Sequence, residues 1–211
     1  AYRPLQTPVS LRQAWSEEER KSLFLYLHIP FCEMRCGFCN LFTTARPQDS
    51  LPARYLKQLR VESEAVRDAL GEAEFARLAV GGGTPTFLSV PELVELFAII
   101  TEVMGCSPEA IPSSVEMSPE TVTLEKLQYL SELGVSRASI GIQSFFEEET
   151  RSLRRPQKPE TARKALQMMR DAGFATINID LIYGIREQTP QTWRESLENA
   201  LDFDPEELYL Y

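Results

Sequence analysis

The sequence is short of basic residues. Against 31 aspartates and glutamates it has 22 lysines and arginines, a formal net charge of −9. Nucleic-acid-binding proteins normally offer a basic face to neutralise phosphates. No run of lysine and arginine supplies one, so nucleic acid is excluded as the expected partner. No apolar run approaches the ~20 residues that span a bilayer, so no membrane span is expected. No basic segment followed by an apolar stretch opens the chain, and no signal peptide is expected. Cysteine is scarce too, with four among 211 residues, far from a disulfide scaffold. Three of the four crowd between positions 32 and 39, which suggests metal ligation in a reducing, cytoplasmic setting.

What is present suits a folded globular protein. Hydrophobic residues make up 43% and charged residues 25%, too apolar for a disordered chain. The length allows one large domain or two small ones. The first residue is Ala1, and residues 208–211 read as a strand with no turn signal behind it, so a fragment of a longer chain is expected. Residues 1–21 are polar and proline-containing and read as a lead-in. Apolar β-type runs then fall at 22–28, 77–80, 113–117, 137–141, 176–183 and 207–211.

Helical patterns lie between these runs. Tyr55, Leu59, Val66 and Leu70 share a face, as do Leu93, Leu96, Phe97 and Ile100, with Pro91 near that helix's start. Leu124, Leu127 and Leu130 lead to a left-handed stop at Gly134, and Ala162, Ala165, Leu166 and Met169 to another at Gly173. Thr189 caps a helix with Pro190 at its first position and Trp193, Leu197 and Leu201 along one side. After the first gap the strand ends recur about every 30 residues, the size of a strand–helix unit. The class is therefore α/β with a parallel sheet. Periodicity alone fits an open doubly wound sheet or a barrel, and both collect ligands at the carboxyl ends of their strands.

The first strand end opens into HIPFCEMRCGFCN, in which Cys32, Cys36 and Cys39 have C-x3-C-x2-C spacing. Three soft thiolates on one loop suit three corners of an iron–sulfur cubane, leaving one iron open. With His28 added, the ligand count also fits a structural zinc site. His28 has a plainer reading as a satisfied strand-end histidine, and Cys106 as an ordinary small loop residue. The second strand runs into GGGTPT, where glycine lets backbone approach a ligand and free N–H groups bind a carboxylate. Glu116 ends the third strand and Gln143 the fourth. Arg155 taken alone is a solvated loop residue. Asp180 interrupts the apolar run INIDLIYG, and a buried carboxylate needs a partner, either Arg155 or a ligand. The acidic run Glu147-Glu148-Glu149 is expected to be a solvated helix surface.

Taken together, YLHIPFC with C-x3-C-x-F-C, GGGTPT, the E-x-x-P of VEMSP and GIQSF resemble the radical S-adenosylmethionine superfamily. Within it they are similar to the oxygen-independent coproporphyrinogen III oxidases and their heme-chaperone, heme-degrading and methyltransferase relatives. The likeness runs from about residue 24 to 211. It implies a partial (β/α)6 TIM-like barrel over residues 22–211, ending in its sixth strand, with a C-terminal region of the full-length protein absent. It implies a [4Fe–4S] cluster on Cys32, Cys36 and Cys39, and one or two molecules of S-adenosylmethionine. Contacts to that cofactor fall at Tyr26, Phe38, Gly82, Gly83, Thr84, Glu116, Gln143, Arg155 and Asp180. Where two molecules bind, Tyr26, Gly82 and Glu116 go with one and the other six with the second.

The implied reaction is reductive cleavage of S-adenosylmethionine to a 5′-deoxyadenosyl radical that abstracts hydrogen from a small-molecule substrate, a tetrapyrrole or another. It needs an external one-electron donor. The family's alternatives are heme binding or trafficking without radical turnover, and methyl transfer. One departure bears on substrate. The oxidases commonly carry a further cysteine as C-x-C just past the motif, and here the sequence is Cys39-Asn40-Leu41.

Overall fold

The computed structural model describes residues 8–211. In chain order the elements are α1 (Leu11–Ala14), β1 (Leu23–Ile29), β2 (Phe31–Cys32), β3 (Thr44–Ala45), α2 (Leu51–Leu70) and β4 (Phe75–Gly82). A 3-10 turn (Pro85–Phe87), α3 (Val90–Ala98) and a π-turn (Ile99–Val103) follow, then β5 (Ser113–Met117), α4 (Leu124–Glu132) and β6 (Arg137–Gln143). The chain continues through α5 (Glu147–Ser152), α6 (Pro159–Asp171), β7 (Thr176–Leu181), α7 (Pro190–Leu201) and β8 (Glu207–Leu210).

Six strands form one sheet in the order β1-β4-β5-β6-β7-β8, every pair parallel. That order follows the sequence with no reversal. A doubly wound sheet reverses at a switch point, so the topology is that of a barrel wound in one direction. Burial agrees. Leu27, Val80, Val115, Ala138, Ile140, Ile177 and Ile179 join the apolar faces of α2, α3, α4, α6 and α7 in one core. The fold is a partial (β/α)6 TIM-like barrel.

Local chemistry explains the boundaries. The Thr189 hydroxyl accepts from the Thr192 amide with Pro190 in the first turn of α7, and Ser89 and Glu92 form a capping box on α3. Gly134 ends α4 at φ +80, and a Cβ there would lie 2.5 Å from that of Glu109. Ala162, Ala165, Leu166 and Met169 are fully buried on α6, as the spacing predicts.

Several expectations change. The strand expected at 77–80 runs from Phe75 through Gly82, because a parallel central strand hydrogen-bonds beyond its apolar stretch. The strand expected to reach residue 183 stops at Leu181. Leu124 and Leu201 stand at helix ends past the sheet and are exposed rather than on the packed face. The lead-in holds the short helix α1, and Arg20 Nη1 donates to the Leu70 carbonyl at 2.7 Å, tying it to α2.

Candidate active site

The three clustered cysteines leave β1 on a loop that the fold holds at several points. β2 pairs with β3 in a two-stranded parallel ribbon, Phe31 opposite Thr44 and Cys32 opposite Ala45. The Arg46 amide donates to the Cys32 carbonyl at 2.9 Å, and the Gly37 amide to the Leu153 carbonyl at 2.7 Å. Cys32, Cys36 and Cys39 line one cavity of about 160 Å³, together with Phe38, Gly82, Gly83, Thr84 and Arg155. It lies at the carboxyl edge of the sheet, where barrel ligands collect.

The glycine turn closes on this loop. Gly82 sits at φ +111, and a Cβ on Gly83 would come 2.9 Å from Cys32 Sγ and 2.7 Å from the Phe31 carbonyl oxygen. Only glycine permits that approach. The amides expected to be free are engaged: Gly83 N–H donates to the Ile29 carbonyl at 2.7 Å, and Gly82 N–H to Glu116 Oε2 at 3.0 Å. The carboxylate that the glycine turn holds is therefore the protein's own Glu116. The Thr84 hydroxyl reaches Cys32 Sγ at 3.7 Å.

The donor set fits an iron–sulfur cluster. Three thiols with no disulfide among them face one cavity, and Thr43 Oγ1 on the same wall is buried without a hydrogen-bond partner. Burial raises the Cys32 thiol, partly offset by the Thr84 hydrogen bond, and burial raises Cys36 against the lowering effect of Arg155. Bound iron reverses that trend, because a coordinating thiol is deprotonated outright. Among the described residues no three His, Cys, Asp or Glu side chains converge on a single-ion site. A cubane places each cysteine on a different iron, so its ligands stand farther apart than those of one zinc. His28 does not join the cysteines: Nε2–H donates to the Phe42 carbonyl at 2.8 Å, which leaves Nδ1 to accept from the Tyr26 hydroxyl at 3.1 Å. Both ring nitrogens are spent, and the zinc set loses its fourth member.

The remaining predicted contacts lie on the open face of the sheet. Tyr26 and Glu116 line a second cavity, of about 340 Å³, with Phe24, Arg77, Arg137 and Tyr209. Gln143 adopts φ +70 at the β6–β7 irregularity. Its amide lies over Gly141 beside the Arg155 guanidinium, in space that a Cβ on Gly141 would fill. Arg155 donates to the Gly141 carbonyl at 2.7 Å and to Ser118 Oγ at 3.2 Å, so it is a held residue rather than a solvated one. No ion pair joins it to Asp180. That carboxylate instead accepts from Asn178 Nδ2 at 2.7 Å. Burial pushes the Asp180 carboxyl up to about 6; the Asn178 hydrogen bond opposes this and the Glu116 charge adds to it.

Residues that the sequence reading passed over complete this face. Arg137 Nε donates to Glu207 at 2.8 Å, its Nη1 to Ser114 at 3.0 Å, and its guanidinium lies 5.1 Å from the Tyr209 ring centre. Asn178 also donates to Ser139 at 2.8 Å. The signal was there at period two: Ser139 and Gly141, like Asn178 and Asp180, fall on one side of their strands. Glu149 corrects the solvated acidic run. It is 4% exposed and accepts from Ser144 at 2.7 Å and Gln188 at 3.0 Å. Cys106 is buried in the core, and burial pushes its thiol up to about 11.

Comparison with known proteins agrees with this geometry. The family model for the Radical SAM superfamily matches residues 26–200. The oxygen-independent coproporphyrinogen III oxidase of Helicobacter pylori is 33% identical over all of this chain, which covers 49% of that protein. The heme chaperone HemW of Bacillus subtilis is 33% identical over 88% of the chain and is covered to the same 49%. The chain thus spans about half the length of the curated relatives it matches. The solved coproporphyrinogen III oxidase HemN from Escherichia coli, a radical SAM enzyme, superposes with a TM-score of 0.85 at 30% identity, over 95% of this chain and 46% of that one. Among the described residues no helix is long and apolar enough to cross a membrane. The chain belongs to the radical SAM superfamily, in its coproporphyrinogen III oxidase-like branch.

Proposed function

We propose that residues 22–211 form the core domain of a cytoplasmic radical S-adenosylmethionine oxidoreductase that removes hydrogen from a tetrapyrrole, as a coproporphyrinogen III oxidase does. Membership in the superfamily implies a [4Fe–4S] cluster and S-adenosylmethionine. The observation that carries the reading is the gathering of Cys32, Cys36 and Cys39 with Gly82, Gly83, Thr84 and Arg155 around one cavity. When bound, the cluster and S-adenosylmethionine supply, with one electron from an external donor, a carbon-centred radical that abstracts hydrogen.

The chain's own residues then have separable tasks. Cys32, Cys36 and Cys39 would hold the cluster as thiolates, and the cluster would in turn take the cofactor's amino and carboxylate groups. Gly83 keeps a side chain away from Cys32 Sγ, and Glu116, fixed by the Gly82 amide, offers its second oxygen to a cationic or hydroxyl group. Phe38 forms part of the same cavity wall. Arg155 and Gln143 present donors over Gly141, and Asp180 and Tyr26 accept or donate on the open face. Whether these groups serve one cofactor molecule or two is set by occupancy, which equilibrium dialysis of the reconstituted protein measures.

The deciding experiment uses the full-length protein, prepared without oxygen and with its cluster reconstituted. It receives reductant, S-adenosylmethionine and coproporphyrinogen III. Production of 5′-deoxyadenosine with a decarboxylated porphyrin is the expected result. Deoxyadenosine with unchanged porphyrin keeps the radical enzyme and moves the substrate elsewhere. Heme delivery without turnover is the second reading, favoured by Leu41 in place of the second cysteine of C-x-C and by the likeness to the Bacillus chaperone. Tight heme binding with no deoxyadenosine would establish it.

A further inference from the structure

The wall between the cysteine cavity and the protein surface is one chain thick. Along the segment after the third cysteine, Cys39, Leu41 and Thr43 line the cavity, while Phe42 and Thr44 line a groove on the other side. The same alternation occurs at Phe31, which faces the groove, and Cys32, which faces the cavity. The groove holds about 660 Å³ and is completed by Leu51, Arg54, Lys57 and Val61 from α2. Its floor is apolar and its rim cationic, the anatomy of a protein-binding patch.

Two features mark the groove as a docking surface rather than incidental relief. Phe42 is 81% exposed, yet its backbone is fixed: its carbonyl accepts from His28 at 2.8 Å, and the next-but-one residue, Thr44, donates to Pro30 at 2.6 Å. A large ring held out to solvent on a fixed backbone is a ready anchor. The charge is also out of character. The groove's lining carries two basic side chains, Arg54 and Lys57, and no carboxylate, in a chain of 22 basic to 31 acidic residues. Arg54 and Lys57 are exposed and, among the described residues, join no ion pair.

We propose that this groove receives the one-electron donor, and that the donor is a small acidic carrier protein. The inference rests on the cluster reading above and names the partner of that same site. Electron transfer weakens steeply with distance, so a donor gains by seating where only one thickness of chain separates it from the cluster. Opposite charge at the rim steers it there and sets its orientation. In the transfer the carrier, a flavin hydroquinone for example, loses one electron and becomes a semiquinone. The cluster gains that electron and falls from its 2+ to its 1+ level.

The test compares full-length wild type with Phe42→Ala and with the double variant Arg54→Glu/Lys57→Glu. Calorimetry first measures binding of oxidised flavodoxin to cluster-free protein, so that docking is read without turnover. Both variants should bind about tenfold more weakly or worse, and wild-type binding should weaken as salt rises from about 0.01 to about 0.3 M. After reconstitution, cluster reduction by flavodoxin hydroquinone, followed by electron paramagnetic resonance, should slow by a similar factor. Reduction by dithionite, which needs no docking, should keep its wild-type rate in every variant. Equal affinities and equal flavodoxin rates in all three proteins would overturn the proposal, as would a wild type that binds no flavodoxin because another part of the full-length protein fills the groove. Salt-sensitive binding to a protein that assembles no cluster would instead overturn the proposed function and leave the docking surface standing.

Discussion

Val80, Val115, Ala138 and Ile177 lie in a row across four strands, none more than 1% exposed. One residue further along, the same strands present Gly81, Glu116, Ser139 and Asn178 to the other face. The first row is packed under helices and the second meets cavity, hydrogen bonds and charge. A step of one residue therefore separates the side that holds the fold together from the side that handles ligands. Packing and binding can be altered independently here, because strand geometry assigns them to alternate residues.

The largest expected effect breaks the binding side alone. Cys36→Ala should abolish the intact cluster, read as iron and acid-labile sulfide after anaerobic reconstitution, with little change in the unfolding midpoint of the metal-free protein. Full iron loading would remove Cys36 from the ligand set. On the packed side, Ile140→Ala should cost about 2–5 kcal/mol in urea unfolding, since Ile140 is fully buried and its loss leaves a cavity. A cost near zero would mean that the helix face is looser than its burial implies.

Gly83→Ala tests the seam between the two sides. Its methyl group would meet Cys32 Sγ and the backbone of Phe31, so a destabilisation of about 1–3 kcal/mol should accompany reduced cluster loading. A stable, fully loaded variant would show that the turn can move away. Glu116→Ala should weaken S-adenosylmethionine binding about tenfold while leaving stability within about 1 kcal/mol. Unchanged affinity in a dialysis measurement would return Glu116 to a purely local role on the Gly82 amide.

The smallest effect is one of pH. Burial raises the Asp180 carboxyl from 3.8 to about 6. The unfolded chain ionises this group more readily than the folded one. Its contribution to stability is thus fully present below about 4 and is lost as the pH rises through about 6. Asp180→Asn should flatten that part of the stability curve relative to wild type. Parallel curves for the two proteins would show that the carboxyl is not perturbed.

The packed side was the legible one. Apolar runs, helix faces, the Thr189 cap and the Gly134 stop all act within a few residues, and each was visible in the sequence. Of the candidate site, the three cysteines and the glycine turn were legible because their spacing is itself the chemistry. Arg155, Ser118 and Gly141 meet only when β5, β6 and the segment after α5 come together, so nothing near Arg155 in sequence announced its partners. Asp180 announced a need for a partner, but the partner proved to be Asn178, two residues away on the same face. The β2–β3 ribbon escaped notice since two-residue strands carry no periodicity.

That ribbon changes how a cluster is acquired. Fixing one residue's backbone costs about 1–2 kcal/mol of conformational entropy, and a free cysteine loop would meet that cost at the moment of metal loading. Here the loop's two ends are hydrogen-bonded to each other through Cys32 and Arg46, and its middle to Leu153 through Gly37. Folding therefore meets much of the cost in advance. The protein should behave as a preshaped mould toward the cluster, whereas small metal-dependent domains fold only around their ion. Far-ultraviolet circular dichroism should be nearly the same before and after loading.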